Sequence, residues 1–133
     1  MNPNLIKNGK FYNTATATLL MVSEYFNSYG RKRRAWYKSA TGVYFQVLQY
    51  VDVPFNKKAF QDLTIKVKVD KEEIVGECTF DEVQRLFEIA EQGGQIIVHS
   101  GTYAYCVLRN EGSPKSKLAI ANKPKEFSEI VEV

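Results

Sequence analysis

The sequence predicts an α+β domain: an antiparallel, strongly curved sheet of about six or seven strands with one main helix packed on it. Three observations carry this. Leu63–Val69 alternates strictly between apolar and polar residues, the period of a half-buried strand. Two runs rich in β-branched and aromatic residues flank Ser39-Ala40-Thr41-Gly42, and such runs around a short Gly-containing link read as a hairpin. Thr79-Phe80-Asp81-Glu82 is a capping box, followed by Val83, Leu86, Phe87 and Ala90 on one apolar stripe. The box starts a helix, the stripe gives it a core face, and Gly93-Gly94 stops it. That stripe is expected to cover the inward faces of Leu63–Val69 and Val43–Leu48.

Taken in order, residues 1–9 are polar and read as a loose lead-in from which Leu5 and Ile6 could tuck inward. Lys10–Phe26 reads as one long strand, because threonine recurs at every second position. Its alternation puts Leu19 and Met21 on one face and Leu20 on the other. Asn27–Gly30 marks a turn. In the second hairpin strand, Val43, Phe45, Val47 and Gln49 share the core face, and Tyr44, Gln46, Leu48 and Tyr50 share a mixed one. Val51–Asp62 is a connection containing Pro54, Lys57 and Lys58. Asp70–Glu77 reads as a turn hinged at Gly76. After the helix, Gln95–Ser100 and Tyr103–Asn110 read as strand, turn, strand. Glu111–Pro114 is a further turn, Lys117–Ala121 a short strand, and Phe127–Val133 a final one.

With 133 residues, the chain is sized for a single domain with one core. No run approaches the roughly 18 apolar residues that cross a bilayer, and MNPNLIKNGK has neither the apolar centre nor the cleavage-like site of a secretion signal. A cytoplasmic location is the expectation. The two cysteines, Cys78 and Cys106, are far apart and lack CxxC spacing, which in that compartment reads as two thiols. The net charge of +3 hides a split: residues 1–60 carry +7, and residues 61–133 carry −4. Such an asymmetry steers encounter with a charged partner or favours head-to-tail association.

The densest positive charge is Arg31-Lys32-Arg33-Arg34, followed by Trp36, Tyr37 and Lys38. Cations neutralise phosphates and rings stack on bases, so this run suits a nucleic acid. Arg, Trp and Tyr are also the usual anchors of protein interfaces, so it equally suits a protein with an acidic patch. The plain alternative is a solvated hairpin end whose charges prevent edge pairing. No phosphate loop, zincin, CxxC or EF-hand spacing is present. His99 is the only histidine, so a Cys106–His99 pair is the one nucleophilic arrangement open to the chain. Asp81, Glu82, Glu88 and Glu91 lie on the solvent face of the helix, the first two in its opening turn, where acids complement the helix dipole. Neither group points to catalysis, and no enzyme, cofactor or metal is expected.

Lys10-Phe11-Tyr12-Asn13-Thr14-Ala15-Thr16-Ala17, with Tyr37-Lys38-Ser39 and Gly42-Val43-Tyr44-Phe45, resembles a pattern in small proteins encoded by phages, plasmids and conjugative elements of Gram-positive bacteria. That pattern opens K-x-Y-D/N-T-x-x-A and continues Y-R/K-T/S-x-x-G-x-F/Y-F, and an acidic helix, here Thr79–Glu91, often follows. The resemblance covers about half the chain and ends after Phe45, where Gln46-Val47-Leu48-Gln49 replaces the usual Gly-rich continuation. It implies a gene setting like that of host-defence inhibitors, anti-CRISPR proteins among them. The expectation is therefore a non-enzymatic interaction protein that binds and blocks or modulates a protein partner, such as a CRISPR–Cas effector. Its contact residues would be Arg31, Lys32, Arg33, Arg34, Trp36, Tyr37 and Lys38. A direct DNA or RNA binder using the same residues plus Lys57 and Lys58 is the alternative. On either reading, reversing the charges of Arg31–Arg34 should abolish binding and leave the melting temperature nearly unchanged.

Overall fold

The hairpin forms as its sequence dictates. In the computed structural model, which describes residues 1–25, 32–52, 67–93, 95–97 and 115–133, strands β4 (Lys32–Lys38) and β5 (Tyr44–Asp52) pair antiparallel. Their link is closed by the Ser39 N–H donating to the Val43 carbonyl at 2.8 Å and the Gly42 N–H donating to Ser39 at 3.0 Å. Gly42 has φ +89°, a conformation that a side chain would strain.

Around this pair lie β3 (Thr18–Tyr25), β6 (Lys68–Cys78), β7 (Gln95–Ile97) and β8 (Lys115–Ile120). Among the described residues they make one sheet in the order β6-β5-β4-β3-β8-β7, every pairing antiparallel. A short ribbon of β1 (Ile6–Lys7) and β2 (Lys10–Phe11) stands apart from it. Helix α1 (Phe80–Glu91) begins at the predicted capping box, with Thr79 and Glu82 bonding each other's backbone. The fold is α+β, as expected.

The layers differ from the expected arrangement. β4 and β5 lie inside the sheet, so both of their faces need cover. Helix α1 buries Val83, Leu86, Phe87 and Ile89 against Leu20, Met21 and Trp36, with Leu118 and Ile120 alongside. It does not cover Phe45 and Val47. Those residues face the other way, toward Leu5, Tyr12, Val22, Ala35 and Tyr37. The N-terminal residues are therefore a second layer rather than a loose lead-in: Leu5 is buried while Ile6 stays exposed, and the Lys7 ammonium donates to the Val75 carbonyl at 2.8 Å.

Two more expectations fail for local reasons. Lys10–Phe26 is not one strand, because the Asn13 side chain accepts from the Ala15 N–H at 3.0 Å and the Asn13 carbonyl from the Ala17 N–H at 3.2 Å. An Asn that caps its own turn outcompetes the ladder. A bulge between Leu19 and Met21 then turns both Leu20 and Met21 toward the helix. Asp70–Glu77 is strand rather than turn. Its charges suit an edge, and bulges shift the register between Gln46 and Val47 and between Tyr50 and Val51 on the partner strand. Val67 and Val69 pack on Val51. The earlier part of the alternating run, residues 63–66, lies outside the described residues, as do Lys57, Lys58 and residues 98–114 with His99 and Cys106.

Phe127–Val133 forms no strand. Instead the C-terminal segment crosses the helix side as a strap. Asn122 Nδ2 donates to the Leu19 carbonyl at 2.8 Å, Lys123 pairs with Glu91, and Glu126 pairs with Lys38. Glu126 also accepts from the Tyr44 hydroxyl at 3.0 Å. Phe127 fills a box of aromatic rings, with centroids 4.7 Å from Phe80, 4.8 Å from Phe87 and 5.6 Å from Tyr44.

The Lys38 ammonium, above all, holds the Glu126 carboxyl below the glutamate value of 4.5. A carboxyl depressed in the folded state stabilises it above its unfolded pKa, and that contribution is lost as pH falls through the folded value. Protection of residues 123–127 against hydrogen exchange, taken relative to the intrinsic rate at each pH, is therefore expected to hold steady down to about pH 4.5 and to fall below it. In Glu126→Gln this acid step should vanish. An unchanged step in that variant would assign the transition to another group.

Candidate interaction surface

The structure redistributes the seven expected contact residues. Arg31 lies outside the described residues, and Lys32 opens β4 opposite Tyr50. The hairpin tip is Ser39–Val43, so the cationic run sits at the far end of β4 rather than beside the tip. Alternation then splits the run between two faces. Arg33, Ala35 and Tyr37 look toward the N-terminal layer, and Arg34, Trp36 and Lys38 toward the helix side. Trp36 is 1% exposed, Arg33 2% and Tyr37 7%. These three are core residues and make no solvent-facing anchor. Lys38 is half-buried and holds the C-terminal strap.

Arg33 belongs to a buried polar network. Its Nε donates to Gln49 Oε1 at 2.7 Å. Gln49 Nε2 donates to the Tyr37 hydroxyl oxygen at 2.8 Å and to Glu72 at 3.0 Å. Thr14 donates to the other Glu72 oxygen at 2.6 Å. Burial raises the Tyr37 pKa above its usual value of 10.0, the Glu72 charge adds to this, and Arg33 opposes it. On the opposite face Gln46 is fully buried beside Trp36, its amide without a hydrogen-bond partner among the described residues.

What β4 does present is a patch that the sequence alone could not assemble. The register sets Arg34 beside Leu48, and Leu48 beside Glu73; one step along, Tyr50 lies beside Lys71. Directly opposed residues share a face, so the five form one surface on the helix side of the sheet. Arg34, Leu48, Tyr50 and Glu73 are half-buried, and Lys71 is exposed. The Lys71 ammonium stands 5.3 Å over the Tyr50 ring and 3.1 Å from the Glu73 carboxylate. The sequence carried no signal for this, because Lys71 and Glu73 lie in the stretch that reads as a turn.

At the opposite end of the hairpin, residues 10–13 and the residues around Phe45 meet. Tyr12 and Tyr37 pack on Phe45 with centroid distances of 5.3 and 5.5 Å. A cleft of about 470 Å³ opens there, lined among others by Lys10, Phe11, Asn13, Ser39, Thr41 and Glu77. Glu77 accepts from Lys10 at 3.1 Å and from the Tyr12 hydroxyl at 2.6 Å. Burial first, and the Glu77 carboxylate second, push Tyr12 up to about 12, so its phenol remains a donor through the physiological range. Tyr12 and Phe45, more than thirty positions apart in the chain, are thus direct neighbours in the fold.

Among the described residues no three His, Cys, Asp or Glu side chains cluster as a metal site, and no helix is long and apolar enough to cross a membrane. Comparison with protein-family models, with curated proteins and with solved structures gives no match to this chain.

Proposed function

We propose that the chain is a non-enzymatic binding protein of a mobile genetic element, working in the cytoplasm by blocking or modulating a protein partner. A nucleic-acid-dependent defence nuclease such as a CRISPR–Cas effector is the partner class that the sequence resemblance suggests. The observation that supports a binding role is the patch of Arg34, Leu48, Tyr50 and Lys71 on three neighbouring strands. Arg and Tyr around an apolar centre are the usual composition of an interface hot spot. Glu73, paired with Lys71 in the same patch, favours a protein with mixed charge over a run of phosphates, which it would repel.

The test is capture from the native host with the tagged chain, followed by mass spectrometry. The chain should retain a protein at physiological salt, and Lys71→Glu combined with Arg34→Ala should lose it while the melting temperature stays within about 2 °C. Retention of nucleic acid with an affinity that falls steeply with salt would replace this reading with the direct-binder alternative. A double variant that still captures the protein would remove the patch from the interface.

A further inference from the structure

We propose that the box of Tyr44, Phe80 and Phe87 is a second docking site, occupied in the free chain by its own C-terminal strap. Its partner would be a protein presenting an acidic residue immediately ahead of an aromatic ring on an extended segment. The cis occupant defines this chemistry. Glu126 reaches Lys38 and the Tyr44 hydroxyl, and the next residue, Phe127, puts its ring into the box.

The strap is built to be displaced. Beyond Asn122 it has no regular secondary structure, and its single buried residue is Phe127. Past Asn122, whose bonds to Leu19 and Leu20 fix the start of the strap, the other anchors are the Tyr44–Glu126 hydrogen bond and two ion pairs whose side chains remain between 21% and 37% exposed, the kind that contributes little in water. After Phe127 the chain gains no further cover: Ile130 is 52% exposed and Val131 74%. The box is also open on one side, since Phe80 stays 37% exposed although Phe127 stacks on it, with their planes 6° apart. An incoming segment therefore has an aromatic surface to touch before the strap leaves. Because the strap is tethered, its effective concentration is high, and only a partner with additional contacts displaces it. The tail thus sets a threshold for engagement, an autoinhibitory contact separate from the Arg34–Lys71 patch.

The experiment uses the full-length chain and a fluorescein-labelled synthetic peptide with the sequence of residues 122–133, followed by fluorescence anisotropy. Phe127→Ala, with an empty box, should bind the peptide at least ~10-fold more tightly than the unmodified chain, whose own ring competes. A peptide with alanine in place of phenylalanine should bind at least ~10-fold more weakly. Glu126→Ala keeps the ring and the fold but loosens the strap, and it should fall between the two proteins. Binding to neither variant, or equal binding of the two peptides, would overturn the proposal. Concentration-dependent dimerisation of the unmodified chain that Phe127→Ala abolishes would overturn the assignment to a foreign partner and give the box to a second copy.

Discussion

Trp36→Ala should lower stability by about 3–5 kcal/mol, the usual cost of removing a large aromatic side chain from a core. For a chain of this size that is a fall of roughly 10–20 °C in the melting temperature. The indole lies between β3 and α1 in the cluster that holds Leu20, Met21, Val83, Leu86, Phe87, Ile89 and Phe127. Deleting it takes contacts away from strand, helix and C-terminal segment together. The surrounding side chains cannot collapse into the space without moving α1 off the sheet, and residual cavity volume sets the penalty. Trp36→Phe, which refills most of the volume, should recover more than half of the loss. Thermal unfolding followed by circular dichroism measures both. A Trp36→Ala protein that melts within about 3 °C of the parent would show that the indole is not part of the core.

Arg33→Ala should cost about 3 kcal/mol, and Arg34→Ala less than about 1 kcal/mol, although the two residues are adjacent. Arg33 is 2% exposed and donates to Gln49. Its removal leaves the Gln49 carbonyl unsatisfied and strips a positive charge from the surroundings of Glu72. A buried acceptor left without its donor costs its full desolvation, and a half-buried carboxylate without a nearby cation adds to this. Arg33→Glu should be worse still, because it sets a second carboxylate near Glu72. Charge reversal of the whole Arg31–Arg34 run is consequently expected to unfold the chain, not merely to blunt its binding. Urea denaturation of the two single alanine variants decides: equal midpoints for Arg33→Ala and Arg34→Ala would refute the buried network.

These two residues also show what the sequence could and could not convey. A helix whose start is fixed by neighbouring residues is legible, so Thr79, Glu82 and the stripe from Val83 give α1 almost as it stands. The hairpin is legible for the same reason, because Gly42 and the alternation after it act over a few positions. Burial of Arg33 is not legible, since it depends on Gln49 and Glu72, and four adjacent cations look equally solvated in a linear reading. The Asp70–Glu77 stretch misleads in the opposite sense. Its charges suggest a turn, but a strand on the margin of a sheet can carry charge along its length. The contact of Tyr12 with Phe45 is not legible either, because it joins the N-terminal layer to the hairpin across a long stretch of chain. The patch of Arg34, Leu48, Tyr50, Lys71 and Glu73 lay beyond reach because it exists only once the β5–β6 register is known.

That marginal strand has a wider consequence. β6 is eleven residues long and pairs with β5 at nine of them, and its outer side would be a long template for cross-β growth if it were bare and flat. Two bulges bend it, and Lys7 ties up the Val75 carbonyl. The first residues of the chain thus act as a guard against polymerisation. Proteolytic clipping ahead of Thr18 is therefore expected to bare both this margin and the apolar face around Phe45 and Val47, and so to favour fibre growth.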